Sequence, residues 1–222
     1  MGIAVIIPTL NAEASLAATL RSVAGAEEII VIDGGSEDAT VRVASAAGAR
    51  VKVSERGRGQ QLRAGAELAT QDWLLFLHAD TLLAPGWRTH VDALTNETNA
   101  AATVGVFRFK LDDVAWQARV LEWLVALRVL LFALPYGDQG LLIHRSLYAA
   151  LGGFRPLPLM EDVDFVRRIG RRRLKTLASA ATTSSRRWRE DGWLERSARN
   201  VVCLTMFSVG APIERIVRFY GR

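Results

Sequence analysis

The stretch LLFLHADTLL, Leu74 to Leu83, decides how the rest of the chain is read. An apolar run ends abruptly at His78, Ala79 and Asp80. A short uninterrupted apolar run is the pattern of a strand buried on both faces. A polar triplet directly after it belongs at the edge of a sheet. Two expectations follow: other buried strands flank this one, and other polar clusters end at the same edge.

Both are met further toward the N-terminus. IAVIIP (3–8), EEIIVID (27–33) and ARVKVSE (49–55) read as strands, and DWLLFLH (72–78) as a fourth. Between them lie helical patterns at 13–24, 36–48 and 59–69, the first with Leu16, Leu20 and Val23 at helical spacing and the second capped by Ser36. Strands alternating with helices predict an α/β fold: a mostly parallel central sheet with helices on both faces. Right-handed crossovers put the strand C-termini on one edge, where such sheets bind ligands. The second half is less regular. It reads as strands at 101–111, 140–144 and 174–184, and helices at 114–134, 160–171 and 193–210. No repeat or linker divides the chain, so the expectation is a single domain over 1–222, with a first half to residue 110 and a second half from 111 that carries amphipathic helices.

Composition narrows the function classes. The chain has 222 residues, half of them hydrophobic, enough for one sizeable core. Its single cysteine, Cys203, excludes a disulfide framework and argues against a cysteine zinc site. The start, MGIAVIIPTL, reads without a basic leader or cleavage site, and Ile6 stands where myristoylation needs Ser or Thr. A cytoplasmic protein, including one at the inner face of the membrane, is the expectation. The net charge of +5 comes from arginine, concentrated in RRIGRRRLK and SSRRWRE. A solvated face accounts for this, as does contact with phosphate or an anionic membrane. No nucleic-acid motif accompanies it, so no nucleic-acid partner is expected. The 114–134 helix is interrupted by Arg119, Glu122 and Arg128, too charged for a span. It reads as a buried or oligomer-facing helix, a homodimer included, or as an interfacial one. The tail IERIVRFYGR has the same basic, aromatic, amphipathic character.

The polar clusters are the candidates for chemistry. PTLNAE ends the first strand, DGGSEDAT the second and HAD the fourth. A lone carboxylate after a strand is often only a helix cap, but three clusters converging on one crevice suggest a site. A dinucleotide site is excluded, because the turn after the first strand lacks glycines and Leu62 occupies the third glycine position of ERGRGQQLRAG. No Walker loop is present.

VIIPTLNAE, IIVIDGGSEDAT, GRGQQLRAGA, LLFLHADT, YGDQG and PLMEDVDF occur in the order found in family 2 glycosyltransferases of the GT-A fold, and from about Ala4 to Trp188 the chain resembles that family. The set HADT, GDQG and SSRRW is most similar to a small bacterial branch assigned to arsenosugar biosynthesis. The resemblance implies an inverting, non-processive transfer of a sugar, hexosyl or pentosyl, from a nucleotide-diphosphate sugar to a hydroxyl acceptor. Pro8, Thr9, Asn11 and Glu13 would hold base and ribose, Asp33 would accept from the base, and Gly34 and Gly35 would let the backbone approach it. Arg58 and Arg63, near the same edge, would touch phosphate or else be ordinary surface arginines. A magnesium or manganese ion would neutralise the leaving phosphates through Asp80, with His78 supporting and Ala79 between them. Asp162 would be the base, Glu161 its neighbour and Asp164 a second candidate. Asp138 and Gln139 would line the acceptor pocket, Arg187 would hold the diphosphate and Trp188 would stack on a sugar or fill the core. SSRRW lacks the leading glutamine of processive relatives. Two rivals remain at this point: a sugar-phosphate nucleotidylyltransferase, which would need a basic glycine-rich loop after the first strand, and a nucleotide-sugar-binding module without turnover, which would need no base facing Asp80.

Overall fold

A computed structural model describes residues 1–221; Arg222, the last residue of the basic tail, lies outside the described residues. Eight strands form one sheet: β1 (Ile3–Thr9), β2 (Glu28–Asp33), β3 (Arg50–Val53), β4 (Trp73–Phe76), β5 (Thr81–Leu83), β6 (Val104–Leu111), β7 (Leu141–His144) and β8 (Leu174–Thr183). Their order across the sheet is β3-β2-β1-β4-β7-β6-β8-β5. The helices are α1 (Glu13–Ser22), α2 (Thr40–Ala46), α3 (Arg58–Leu68), α4 (Trp87–Thr95), α5 (Trp116–Phe132), α6 (Arg145–Ala150), α7 (Glu161–Ile169), α8 (Arg186–Asp191), α9 (Trp193–Ser208) and α10 (Ile213–Tyr220).

Strands β3, β2, β1 and β4 are parallel; β7 runs against β4, β6 against β7 and with β8, and β5 against β8. Only β7 and β5 therefore oppose the common direction. The alternation of β1 builds two apolar layers. Ile3, Val5 and Ile7 join Leu16, Leu20, Trp87 and Val91 on one face. Ala4 and Ile6 join Leu62, Ala66, Phe165 and Ile169 on the other. Gly65 lets α3 lie directly on β1, since a Cβ there would stand 2.3 Å from Ile6 Cγ2.

Every strand expected from the sequence is present. The additional strand β5 is only three residues long, too short to show a period, and helices α4 and α6 also escaped the pattern. Helix α2 corrects the expected cap: it begins at Thr40, and Ser36 caps nothing. Residues 36–39 are held out of the helix by side-chain bonds to the neighbouring loop, described below.

The topology sets up the site. The chain leaves β1 toward β2 on one side and returns to β4 on the other, so β1 and β4 flank a switch point. Because β7 is antiparallel, its beginning lies at the edge where β1, β2 and β4 end. The turn Gly137–Gln139 therefore arrives at that edge. Strand β8 runs with the majority, so residues 184–188 arrive there as well.

Candidate active site

One side of the crevice is built from two loops stitched together, those after β1 and β2. Asp33 is 1% exposed and accepts four hydrogen bonds. Thr9 Oγ1 (2.9 Å) and Ser36 Oγ (2.5 Å) donate to Oδ1, and the backbone N–H groups of Gly35 (3.0 Å) and Ser36 (2.7 Å) donate to Oδ2. A carboxylate offers about four lone-pair positions, so these donors saturate it. In this conformation Asp33 organises the loop. The next residues zip the β1–α1 loop to the β2–α2 loop. Asn11 N–H donates to Ser36 Oγ (2.8 Å), and Glu37 N–H donates to Asn11 Oδ1 (2.9 Å). Ala39 N–H donates to Glu13 Oε2 (2.8 Å). Asn11 adopts φ 50°, a left-handed conformation that an asparagine tolerates. Gly34 is buried and its N–H donates to the Thr9 carbonyl (2.9 Å). Pro8 lies beyond Ile6, the last residue of β1 paired with β4, where its missing N–H costs little.

Gln61, which the sequence reading passed over, ties this side to α3. Its Nε2 donates to the carbonyls of Thr9 and Ile32, both at 2.8 Å. A polar residue on the face of α3 shared with Gly65, four positions on, was its signal. Arg63 takes a surface position, where it is exposed and pairs with Glu67 on the solvent side of α3, and Arg58 departs from the expected place. Arg58 forms an ion pair through Nε with Glu161, which is fully buried, instead of standing open to a phosphate.

The other side of the cleft is acidic. Helix α7 begins at Glu161, preceded by Met160 in the left-handed conformation at φ 63°. Such a residue costs of order 1–3 kcal/mol and marks a point where the surroundings dictate the backbone. Asp162 receives the Gly137 N–H on Oδ2 (2.9 Å) and the Val163 N–H on Oδ1 (2.8 Å). Among the described residues each oxygen accepts one hydrogen bond, and the residue is half-buried. Gly137 is required here: a Cβ would stand 2.5 Å from His78 Nε2 and 3.5 Å from Asp162 Oδ2. His78 and Asp162 thus meet across one glycine. They line a small cavity with Tyr136 and Glu161 over a floor of Leu62, Phe76 and Phe154.

Asp138 reports the electrostatics of the cleft. Its carboxyl is pushed up to about 6 by burial, and the charges of Asp162 and Asp80 add to this against Arg128 and Arg58. Asp80 and Asp162 therefore act on the same group. Burial raises the Glu161 carboxyl and Asp162 adds to it, while Arg58 opposes both. Burial disfavours the Arg58 charge, but Glu161, Asp162 and Tyr220 hold it well above its ordinary value. Arg128 stacks on Tyr136, with its guanidinium carbon 3.4 Å from the ring centroid. Tyr136 and Arg128 were not anticipated, although an aromatic directly before GDQG was a visible signal.

Other expectations are corrected. Asp164 is no alternative base: Arg155 (2.9 Å) and Arg168 (2.6 Å) take its two oxygens. Gln139 is buried and turns into the sheet, donating to the Phe107 carbonyl (3.1 Å). Of the two places open to Trp188, the packed one is seen, edge-on to Phe109 at 6.5 Å and beneath Arg196, as the second alternative had it; Arg187 is exposed. SSRRW does reach the site through its first residue, since Ser184 N–H donates to the Asp80 carbonyl (3.1 Å).

The Asp80 side suits a hard cation. Its carboxylate is half-buried at the strand end, and Asp138 Oδ1 is buried without a hydrogen-bond partner among the described residues. Among the described residues no three His, Cys, Asp or Glu side chains converge as a ready cage. Magnesium-type ions use one or two carboxylates and complete their shell with water and substrate phosphates, which this arrangement matches.

The same architecture occurs in solved glycosyltransferases. TarS 1–349 of S. aureus, crystallised with UDP-GlcNAc, matches with a TM-score of 0.63 at 17% identity over 83% of this chain and 58% of that one. Glucosyl-3-phosphoglycerate synthase from Mycobacterium tuberculosis, crystallised with Mn2+, UDP-Glc and phosphoglyceric acid, matches with a TM-score of 0.62 at 22% identity over 95% and 80%. The fold is that of the GT-A glycosyltransferases. Residues 4–155 match the family described as Glycosyl transferase family 2, and the chain belongs to that family. The PGL/p-HBAD biosynthesis glycosyltransferase of Mycobacterium tuberculosis is 31% identical over 176 residues, 72% of this chain. The chain spans 66% of that relative's length.

Proposed function

We propose that the chain is an inverting, non-processive glycosyltransferase that moves a hexosyl or pentosyl group from a nucleotide-diphosphate sugar to a hydroxyl acceptor. The observation that carries this reading is the meeting of His78 and Asp162 at Gly137, with His78 two residues before Asp80 at the end of β4. A module that only bound nucleotide sugar would have no use for a carboxylate held toward the cavity at that point. The basic glycine-rich loop that a nucleotidylyltransferase would need after β1 is replaced by the zipped Asn11–Glu13 segment.

Asp162 accepts the proton of the acceptor hydroxyl as that oxygen bonds to the anomeric carbon. The bond from that carbon to the diphosphate oxygen breaks on the opposite face, so the configuration inverts. The N–H groups of Gly137 and Val163 keep Asp162 oriented toward the cavity. Asp80 would hold Mg2+ or Mn2+, which when bound neutralises the departing diphosphate. The donors named for the solved relatives favour a uridine diphosphate sugar.

The test is a screen of UDP- and GDP-sugars by thermal shift with and without Mn2+, followed by turnover of Asp162→Asn. The variant keeps shape and loses proton acceptance. Its turnover is expected to fall roughly a hundredfold or more with donor binding retained. Parental turnover in Asp162→Asn would sink the assignment of the base.

A further inference from the structure

The surface at the C-terminal end of α5 is not used by the site. Leu130, Leu131 and Phe132 are 67%, 52% and 66% exposed, and Trp123 and Leu124 extend the apolar face toward the N-terminus of the helix. The helix's own arginines do not break this face. Arg119 reaches back to the Asp113 carbonyl (2.7 Å), and Arg128 to the Leu134 carbonyl (2.9 Å). Among the described residues no helix is long and apolar enough to cross a membrane.

Arginines edge the apolar end. Arg171 donates to the carbonyls of Leu131 (2.9 Å) and Leu130 (2.8 Å), which fixes the Arg171–Arg173 turn against the helix terminus. Arg167, one turn earlier on α7, donates to Ser208 Oγ (2.5 Å) beside exposed Val209. Among the described residues, Arg167, Arg171, Arg172 and Arg173 form no ion pair with a carboxylate. Arg168, their neighbour, is neutralised by Asp164.

We propose that this surface docks the chain on an anionic lipid membrane. Leu130–Phe132 enter the interface, and the four arginines face the headgroups. Apolar side chains next to basic ones, on a helix that does not span, are what an interfacial contact requires. Trp123 suits the same depth, since its ring is apolar and its N–H polar. The charge complementarity selects the occupant. A second copy meeting tip to tip would set one arginine turn against another, a like-charge juxtaposition that disfavours it. The inference goes beyond the transfer reaction and stands without it.

The test uses the full 222-residue chain in flotation with vesicles of phosphatidylcholine alone and of phosphatidylcholine with phosphatidylglycerol. Binding is expected on the anionic vesicles at low ionic strength and is expected to fade as salt rises. Arg172→Glu is expected to lower partitioning roughly tenfold or more, because it replaces an attracted charge with a repelled one. Leu130→Ser with Phe132→Ser is expected to weaken binding to the same vesicles. If that double variant does not fold, Arg172→Glu decides alone, since Arg172 is exposed and its charge is not needed for packing. Equal binding to neutral vesicles, or none to anionic ones at low salt, overturns the proposal. So does a lipid-free dimer that the double variant dissociates while vesicle binding is absent, which would assign the face to a second copy.

Discussion

Asp33 and Asp138 stand at the same edge of the sheet and are held in opposite ways. Asp33 receives two hydroxyls and two backbone N–H groups and has no capacity left. Asp138 has a buried Oδ1 without a partner among the described residues, and its carboxyl is pushed up to about 6. The same contrast divides the whole cleft. The Thr9–Thr40 loops are a finished hydrogen-bonded surface. The Gly137–Asp162 side leaves Glu161 Oε2 and Gln139 Oε1 without partners among the described residues as well. A finished surface presents fixed backbone to a ligand at little reorganisation cost. An unfinished acidic one holds groups that a reaction or a ligand can complete. The difference teaches that buried polarity is treated in two ways here: satisfied on one side, left with unpartnered atoms on the other.

The largest expected effect would break the acidic side. Arg58→Ala leaves Glu161 buried without its cation, which is expected to cost about 3–5 kcal/mol of stability in urea unfolding. A loss under about 1 kcal/mol would mean the pair is replaceable by solvent. Next in size is the split between Asp80 and His78. Asp80→Ala is expected to abolish the manganese dependence of donor affinity, and His78→Ala to keep a measurable part of it. Titrating donor affinity against Mn2+ for both variants checks this; the reverse pattern would exchange their roles.

Asp33→Ala and Asp138→Asn sharpen the comparison because their signs differ. Asp33→Ala strips an acceptor from four donors and is expected to cost about 2 kcal/mol, with weaker nucleoside diphosphate binding in calorimetry. Unchanged stability and affinity would remove its organising role. Asp138→Asn is the smallest change and is expected to stabilise. Its folded carboxyl lies near 6, above the ordinary 3.8, so the folded state binds more protons than the unfolded one between those values. Stability from this group is present below about 4 and lost as pH rises through about 6. The variant should lose that slope and gain roughly 1–2 kcal/mol at pH 8. Urea midpoints measured across the window decide it; parallel pH profiles would refute the shift.

Strands such as IAVIIP and LLFLHAD were legible because their apolar runs are short and uninterrupted. Strand β5 was not, since three residues carry no period. In the candidate site, HAD and MEDVDF were legible as acids at element ends. Which oxygens remain open was not, because that depends on donors from distant segments. Asp164 and Asp162 look alike in MEDVDF, yet Arg155 and Arg168 occupy one, while backbone N–H groups orient the other.

By itself the sequence determined the layered architecture and the edge where the polar clusters collect. Layering and the common strand edge follow from alternation, crossover hand and the burial of apolar runs, all local or general constraints, whereas the strand order β3-β2-β1-β4-β7-β6-β8-β5 came with the tertiary structure. Only the tertiary structure decided that Asp33 turns inward, that Arg58 meets Glu161 across 103 residues, and that His78 and Asp162 share Gly137. Hydrogen bonds and ion pairs depend on ångström-scale approach, and that approach is set by how the two halves of the chain pack, which residue spacing does not encode.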